Sequence, residues 1–141
     1  MSKQKRQALL DEAERQFEAK NIDGAEELYL KIITDYPDWN YAAHASMMVG
    51  VCYDHRYDRE TAAMWFERTI EQYSHLEGFI DVAVFYLAET YSTLGRKDEA
   101  RRAYHYCLDM LKRTKGKEHY AWRGSLEGLR ALEAEHSYPV W

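Results

Sequence analysis

Residues 86–104 read YLAETYSTLGRKDEARRAY, a stretch that predicts two amphipathic helices separated by a short break at LGRKD. The first helix carries Leu87, Ala88 and Tyr91 within little more than one turn. The second carries Ala100 and Tyr104 four residues apart, a spacing that places both side chains on one helical face. A helix–turn–helix unit of this kind defines a fold class only if it recurs along the chain.

The unit does recur, twice, at a nearly constant spacing. A shift of 38 residues places VGVCY (49–53) on LAETY (87–91), and the same shift places Ala62 and Phe66 on Ala100 and Tyr104. A shift of 37 residues aligns a first copy with the second. The matching residues of that first copy are Ala13, Ala25, Tyr29 and Pro37.

With these residues the chain resembles the tetratricopeptide repeat (TPR) family, whose unit pairs Leu-Gly/Ala-x-x-Tyr with Ala-x-x-x-Phe/Tyr. The resemblance implies an all-α fold, a right-handed superhelical α-solenoid of three helix–turn–helix repeats. The repeats are expected at about residues 6–39, 43–76 and 81–114. Small residues at positions 13, 50 and 88 would let the paired helices approach closely, and stacking is required because no unit can bury its own apolar face.

The segment after Lys117 predicts a seventh helix that caps the last repeat, at about residues 118–136. Its apolar residues are expected on one side, and the whole chain, 1–141, is expected to form one domain. The tail 137–141 contains Pro139, which stops a helix. Trp141 either folds back on the capping helix or docks in a groove. The expected stripe of the capping helix is Trp122, Leu126, Leu129 and Leu132.

Composition and charge narrow the possible partners and compartments. Helix-forming residues dominate, and a net charge of −5 gives no general attraction to nucleic acid. Eight basic and three acidic residues lie between Arg96 and Lys117, which favours a solvated helix face and leaves an acidic partner or a phosphate surface open. No segment approaches the roughly 18 apolar residues of a membrane span. If Met1 is the native start, a cytoplasmic location is expected, since the first residues lack a signal-peptide core.

No pattern in the chain indicates an enzyme, a cofactor or a metal site. Phosphate-binding loops, nucleophile elbows and paired-histidine zinc motifs are missing from the sequence. His44 and His55 share a helical face but lie about 16 Å apart along it, too far for one metal ion. Cys52 and Cys107 lack metal-type spacing and are expected as buried free thiols. We therefore predict a non-catalytic protein.

A second stripe on each first helix predicts a binding surface. In the family it resembles, this face lines the concave groove that holds a partner peptide or helix. The stripe is apolar for a solvent-facing surface, and such patches often mark interaction sites. The alternative is that these side chains pack against the neighbouring first helix. The predicted groove residues are Leu10, Glu14, Phe17, His44, Met47, Val51, His55, Val82, Phe85 and Glu89.

The predicted function is that of a protein–protein interaction scaffold or adaptor. Its partner is expected to be an apolar or amphipathic segment with a basic residue near Glu14 or Glu89. A clamp for an acidic C-terminus is not expected, because the lysines and asparagine that such TPRs carry are replaced here. A chaperone for an exported substrate and a self-assembling structural module remain as alternatives. The chain itself is expected to be a monomer or a weak homo-oligomer.

Overall fold

The computed structural model describes residues 2–137, with side chains described up to Ala134, and within this range all regular structure is helical. The prediction of an all-α fold is confirmed. The interpretations of Pro139 and Trp141 lie outside the described residues. The seven helices are α1 (Ser2–Glu18), α2 (Ile22–Asp35), α3 (Tyr41–His55), α4 (Arg59–Gln72), α5 (Glu77–Thr93), α6 (Lys97–Arg113) and α7 (Tyr120–Ser137).

Each helix packs against its neighbours in the chain. The pairs α1–α2, α3–α4 and α5–α6 form the three hairpins, and α2–α3, α4–α5 and α6–α7 join them into a stack. The first helices also meet directly, since α3 contacts α5 and α5 contacts α7. This arrangement is a helical repeat solenoid that ends in a single additional helix.

The three hairpins share one turn geometry. Lys20, Tyr57 and Gly95 all have a positive φ, at 68°, 63° and 79°. In each turn the next amide, for example that of Asn21, donates to the carbonyl five residues earlier. The left-handed conformation brings the following amide to a carbonyl in the last turn of the first helix and reverses the chain. The repeat is therefore preserved in backbone geometry even where the turn residue is not glycine.

Aromatic side chains from the second helices fill the spaces between helices. Tyr29, Phe66 and Tyr104 are at most 1% exposed. The ring of Phe66 lies directly on Gly50, where an added Cβ would come within 2.6 Å of Phe66 Cε1. A residue without a side chain is thus required at this crossing.

Helix α7 is seated on the third repeat by close ring contacts. The rings of Phe85 and Tyr104 lie against Gly124 and Gly128, and a Cβ at either glycine would overlap them. The prediction that Leu126 belongs to the packed stripe is wrong, because this side chain is 39% exposed. The shift by one position follows from the glycines, which set the contact face of α7. The residues that α7 buries are Ala121, Ser125, Leu129 and Leu132.

One ion pair ties the loop before α7 to α5. Asp81 is 1% exposed, and Lys115 Nζ donates to its two carboxylate oxygens at 2.7 and 2.6 Å and to Gly78 O at 2.7 Å. A buried charge whose two oxygens are both paired fixes the position of this loop.

The two cysteines, Cys52 and Cys107, are buried free thiols, and burial raises the pKa of each to about 11.

Candidate binding groove

One face of each first helix stays outside the hairpins, and these faces lie side by side. His44 Nε2 of α3 lies 2.7 Å from Glu14 Oε1 of α1, and the rings of Tyr41 and Phe79 join α3 to α5 at 5.2 Å. We call this surface the groove. It consists of Gln7, Asp11, Glu14 and Glu18 on α1, Tyr41, His44, Val51 and His55 on α3, and Phe79, Val82, Tyr86, Glu89 and Thr93 on α5.

The centre of the groove is a depression of about 300 Å³ between α3 and α5. Val51, Phe66 and Tyr86 supply apolar and aromatic lining. The polar lining residues include His55, Glu89 and the ion pair between Asp54 and Arg59, whose Oδ1 and Nε atoms are 3.6 Å apart. A lining of this kind suits one apolar side chain surrounded by polar contacts.

The α1 side of the groove is acidic. Glu14 accepts hydrogen bonds from Tyr29 Oη at 2.9 Å and lies within bonding distance of His44. The hydrogen bond to His44, helped by that from Tyr29, lowers the pKa of Glu14 although the carboxylate is half-buried. Asp11 and Glu18 on the same helix are exposed. This side of the groove therefore favours a cationic group.

In each repeat, one groove position of the first helix is matched by one core position of the second helix, fifteen residues later. Fifteen residues separate Glu14 from Tyr29, and the tyrosine hydroxyl donates to the carboxylate. The third repeat has the same pair, in which Tyr104 donates to the carboxylate of Glu89. The second repeat has valine and phenylalanine at these positions, 51 and 66, so both polar groups are replaced together. Two groove carboxylates are thus held by buried tyrosines.

A second depression, of about 740 Å³, extends the surface towards α7. Phe85 lines it together with Tyr120 and Arg123. The hydroxyls of Tyr86 and Tyr120 lie 3.3 Å apart, so the two depressions are neighbours. The exposed surface of the first helices therefore continues onto the start of α7.

The ten residues predicted for this surface fall into three groups. Leu10, Met47 and Phe85 are only 7%, 6% and 7% exposed, so they act mainly in packing between helices. Glu14, Phe17, His44, Val51 and Val82 are half-buried, and the Phe17 ring meets the His55 ring edge-on at 5.0 Å. His55 and Glu89 are exposed in the central depression.

Sequence reasoning missed several aromatic residues of the groove. The predicted stripe does not include Tyr86, Tyr41 or Phe79, although Tyr86 lines the central depression. The repeat shift contained the signal, because Tyr41 and Phe79 are 38 residues apart and Tyr86 falls on the same stripe as Val82 and Glu89. Of the three α5 residues that the sequence predicts for the stripe, only Phe85 lies on the packed face, and its neighbour Tyr86 lies with Val82 and Glu89 on the open face.

The basic segment between Arg96 and Lys117 is largely paired within the protein. Arg96 binds Glu99, Arg113 binds Glu77, and Lys115 binds Asp81, each with an N–O distance of 2.6 Å.

Among the described residues, no group of three or more His, Cys, Asp or Glu side chains could hold a metal ion. Within residues 2–137, no helix has the length and hydropathy needed to cross a membrane.

Comparison with known families and structures agrees with this architecture. The family model described as tetratricopeptide repeat matches residues 7–38 and 82–110. The sequence matches no curated protein. The two matched segments contain most of the first hairpin and most of the third, which are the repeats that carry the Glu–Tyr pairs.

Three solved structures are similar over nearly the whole chain. The type III secretion translocator chaperone SycD of Yersinia enterocolitica has a TM-score of 0.79 at 14% identity, covering 94% of this chain and 95% of that one. PcrH of Pseudomonas aeruginosa, solved with the chaperone-binding region of PopD, has a TM-score of 0.79 at 17% identity, covering 97% of both chains. The first TPR of Spaghetti (RPAP3), bound to the HSP90 peptide SRMEEVD, has a TM-score of 0.75 at 15% identity, covering 96% and 95%. Together with the repeat pattern and the helix pairing, these matches show that the chain has the all-α repeat fold of tetratricopeptide repeat proteins.

Proposed function

We propose that the protein is a non-catalytic adaptor that holds an apolar or amphipathic segment of a protein partner in the groove. The observation that carries this proposal is the central depression, where Val51 and Tyr86 present apolar surface above the buried Phe66 ring, inside a rim that includes Glu89 and the Asp54–Arg59 pair. An apolar side chain of the partner would be desolvated there, and the rim would orient the backbone on either side. PcrH, which shares the fold, has been solved with a bound segment of PopD.

The charge of the groove determines which segments fit. Asp11, Glu14 and Glu18 make the α1 side acidic, so a partner with a lysine or arginine near this side is favoured. An acidic peptide such as SRMEEVD, which the first TPR of Spaghetti binds, would meet these carboxylates with like charge. We therefore expect this peptide not to bind, and it serves as a defined negative probe.

A chaperone for an exported substrate is the second candidate function. SycD and PcrH are described as chaperones or are bound to a chaperone-binding region, and both match this chain over at least 94% of its length. A chaperone would keep its partner in solution before export, whereas an adaptor would bind a partner that is already folded. Expression of the partner with and without this protein separates the two functions, because only a chaperone's substrate loses solubility when expressed alone.

Site-specific photocrosslinking tests the groove directly. A benzoylphenylalanine replaces Tyr86 in the central depression, and a matched control replaces Met64, which is 66% exposed on α4 and lies outside the groove. After irradiation in cells, the probe at position 86 should give one dominant adduct that the probe at position 64 does not give. A His55→Ala substitution in the same chain should weaken this adduct.

The opposite results would contradict the proposal. Equal adducts from both positions, or an adduct from position 64 alone, would place the interaction outside the groove. Binding of a fluorescent SRMEEVD peptide with a Kd in the low micromolar range would contradict the proposed charge preference. A cytoplasmic location is part of the same proposal, and cell fractionation tests it.

A further inference from the structure

The outer side of α1 forms a second surface that the groove does not use. The 37-residue shift matches four positions of α1 with four residues of α3 that are only 0–2% exposed. Helix α2 of the preceding repeat packs against α3. Among the described residues, nothing packs in the same way on α1, where Lys5 and Ala8 are exposed and Leu9 and Glu12 are half-buried. The corresponding buried residues of α3 are Ala42, Ala45, Ser46 and Val49.

This face contains a shallow depression of about 530 Å³ between α1 and α2. Ala8, Leu9 and Leu28 form its apolar part. Lys5 and Glu12 stand on either side of Ala8 and Leu9 along α1. Along α1 the face thus has an apolar centre with a positive end at Lys5 and a negative end at Glu12. The charged residues that α2 adds, Lys31 and Asp35, are paired with each other at 3.2 Å. We call this face the outer face.

We infer that the outer face is an interface with a second copy of this chain, with the two α1 helices antiparallel about a twofold axis between Ala8 and Leu9. In this register, the numbers of two residues that face each other across the interface add up to 17. Lys5 of one copy therefore lies opposite Glu12 of the other, twice, and Ala8 lies opposite Leu9, twice. Small residues against large ones let the helices approach, and the charged ends match.

The charge pattern selects this occupant and orientation. A parallel arrangement would bring Lys5 near Lys5 and Glu12 near Glu12, whereas the antiparallel one pairs opposite charges. Glu12 Oε2 already binds Arg15 at 2.7 Å, and its other oxygen accepts from Gln16 at 2.9 Å, but a carboxylate has capacity for another donor. The contact is isologous, so it closes at two copies and does not grow into a filament.

This interface is independent of the proposed groove. The groove side of α1 carries Gln7, Asp11 and Glu14, which lie on a different stripe of the helix from Lys5 and Glu12. A dimer through the outer face would leave both grooves open. Failure of the dimer would therefore not affect the adaptor proposal, and failure of the adaptor proposal would not affect the dimer.

Charge reversal tests the interface by sedimentation equilibrium of the full chain. From about 5 to about 500 μM the wild type should show a monomer–dimer equilibrium. Lys5→Glu alone and Glu12→Lys alone should each raise the dimer dissociation constant about tenfold or more, because symmetry introduces two like-charge pairs. An equimolar mixture of the two variants should dimerise again, since both pairs become opposite in charge in the mixed dimer. The control is Asp11→Lys, which makes the same charge change as Glu12→Lys on the groove side of α1 and should leave the dimer intact.

Four results would overturn the inference. These are a wild type that stays monomeric across the whole range, a dimer that neither substitution weakens, variants that do not recover on mixing, and an Asp11→Lys variant that weakens the dimer as much as Glu12→Lys. Circular dichroism of each variant checks that it is folded. Lys5 and Asp11 are exposed, and Glu12 is half-buried but outside the core, so the substitutions are expected to leave the fold intact.

Discussion

Replacing Lys115 with methionine should destabilise the protein by about 3 kcal/mol, because it leaves the Asp81 carboxylate buried without its cation. Asp81 is 1% exposed, and Lys115 Nζ supplies donors to both of its carboxylate oxygens and to Gly78 O. Breaking a buried pair from one side costs about 3–5 kcal/mol. The lower end applies because the Lys115 side chain is itself 33% exposed.

A double-mutant comparison makes this prediction specific. Asp81→Ala installs the residue type that α3 has at the corresponding position, where Ala43 is 0% exposed. The variant with both Asp81→Ala and Lys115→Met removes both charges and should be at least about 2 kcal/mol more stable than Lys115→Met alone. Urea titration at neutral pH, followed by circular dichroism, measures all three variants. A loss below about 1 kcal/mol for Lys115→Met, or no recovery in the double variant, would refute the reasoning.

Three other expectations concern the core and the groove. Gly50→Ala should cost about 1–3 kcal/mol in a thermal or urea melt, because its Cβ would lie 2.6 Å from Phe66 Cε1. The matched control Gly78→Ala, with no atom within 4 Å of the new Cβ, should be neutral or stabilising, and equal losses would argue against the clash. Glu14→Gln should destabilise the protein at neutral pH. Since the folded state lowers the pKa of Glu14 below 4.5, its contribution is present above that pH and is lost as the pH falls through the lowered value, so the two melts should converge in acid. The two buried cysteines, with pKa values of about 11, should not react with Ellman's reagent at pH 8 until urea unfolds the chain.

The hairpins could be predicted from sequence because their contacts are local and repeated. Gly50 and Ala88, with Phe66 and Tyr104, recur at fixed spacing, so a weak signal in one repeat is reinforced by the next. The register of α7 could not be obtained in this way, because that helix has no second copy for comparison. Its contact face is determined by two glycines under aromatic rings, and hydrophobicity alone placed Leu126 there instead.

The groove was predicted less well, since its boundary depends on small helical rotations. Neighbouring residues on α5, such as Phe85 and Tyr86, are both aromatic, and only the packing of α7 decides that Phe85 is the buried one. The partnership of Asp81 with Lys115 also escaped prediction, because 34 residues separate them and neither belongs to the repeat pattern. Contacts specific to one repeat are invisible to a comparison between repeats.

The paired Glu–Tyr and Val–Phe positions have a consequence for recombination between repeats. A chimera that joins the first helix of the second repeat to the second helix of the third would face Val51 with Tyr104, and the buried hydroxyl would lose its acceptor. The reverse chimera would leave Glu89 beside a phenylalanine ring. Whole hairpins, by contrast, carry both members of the pair with them. In duplication, deletion or design, the transferable module of this solenoid is therefore the complete hairpin, and its two helices are inherited together.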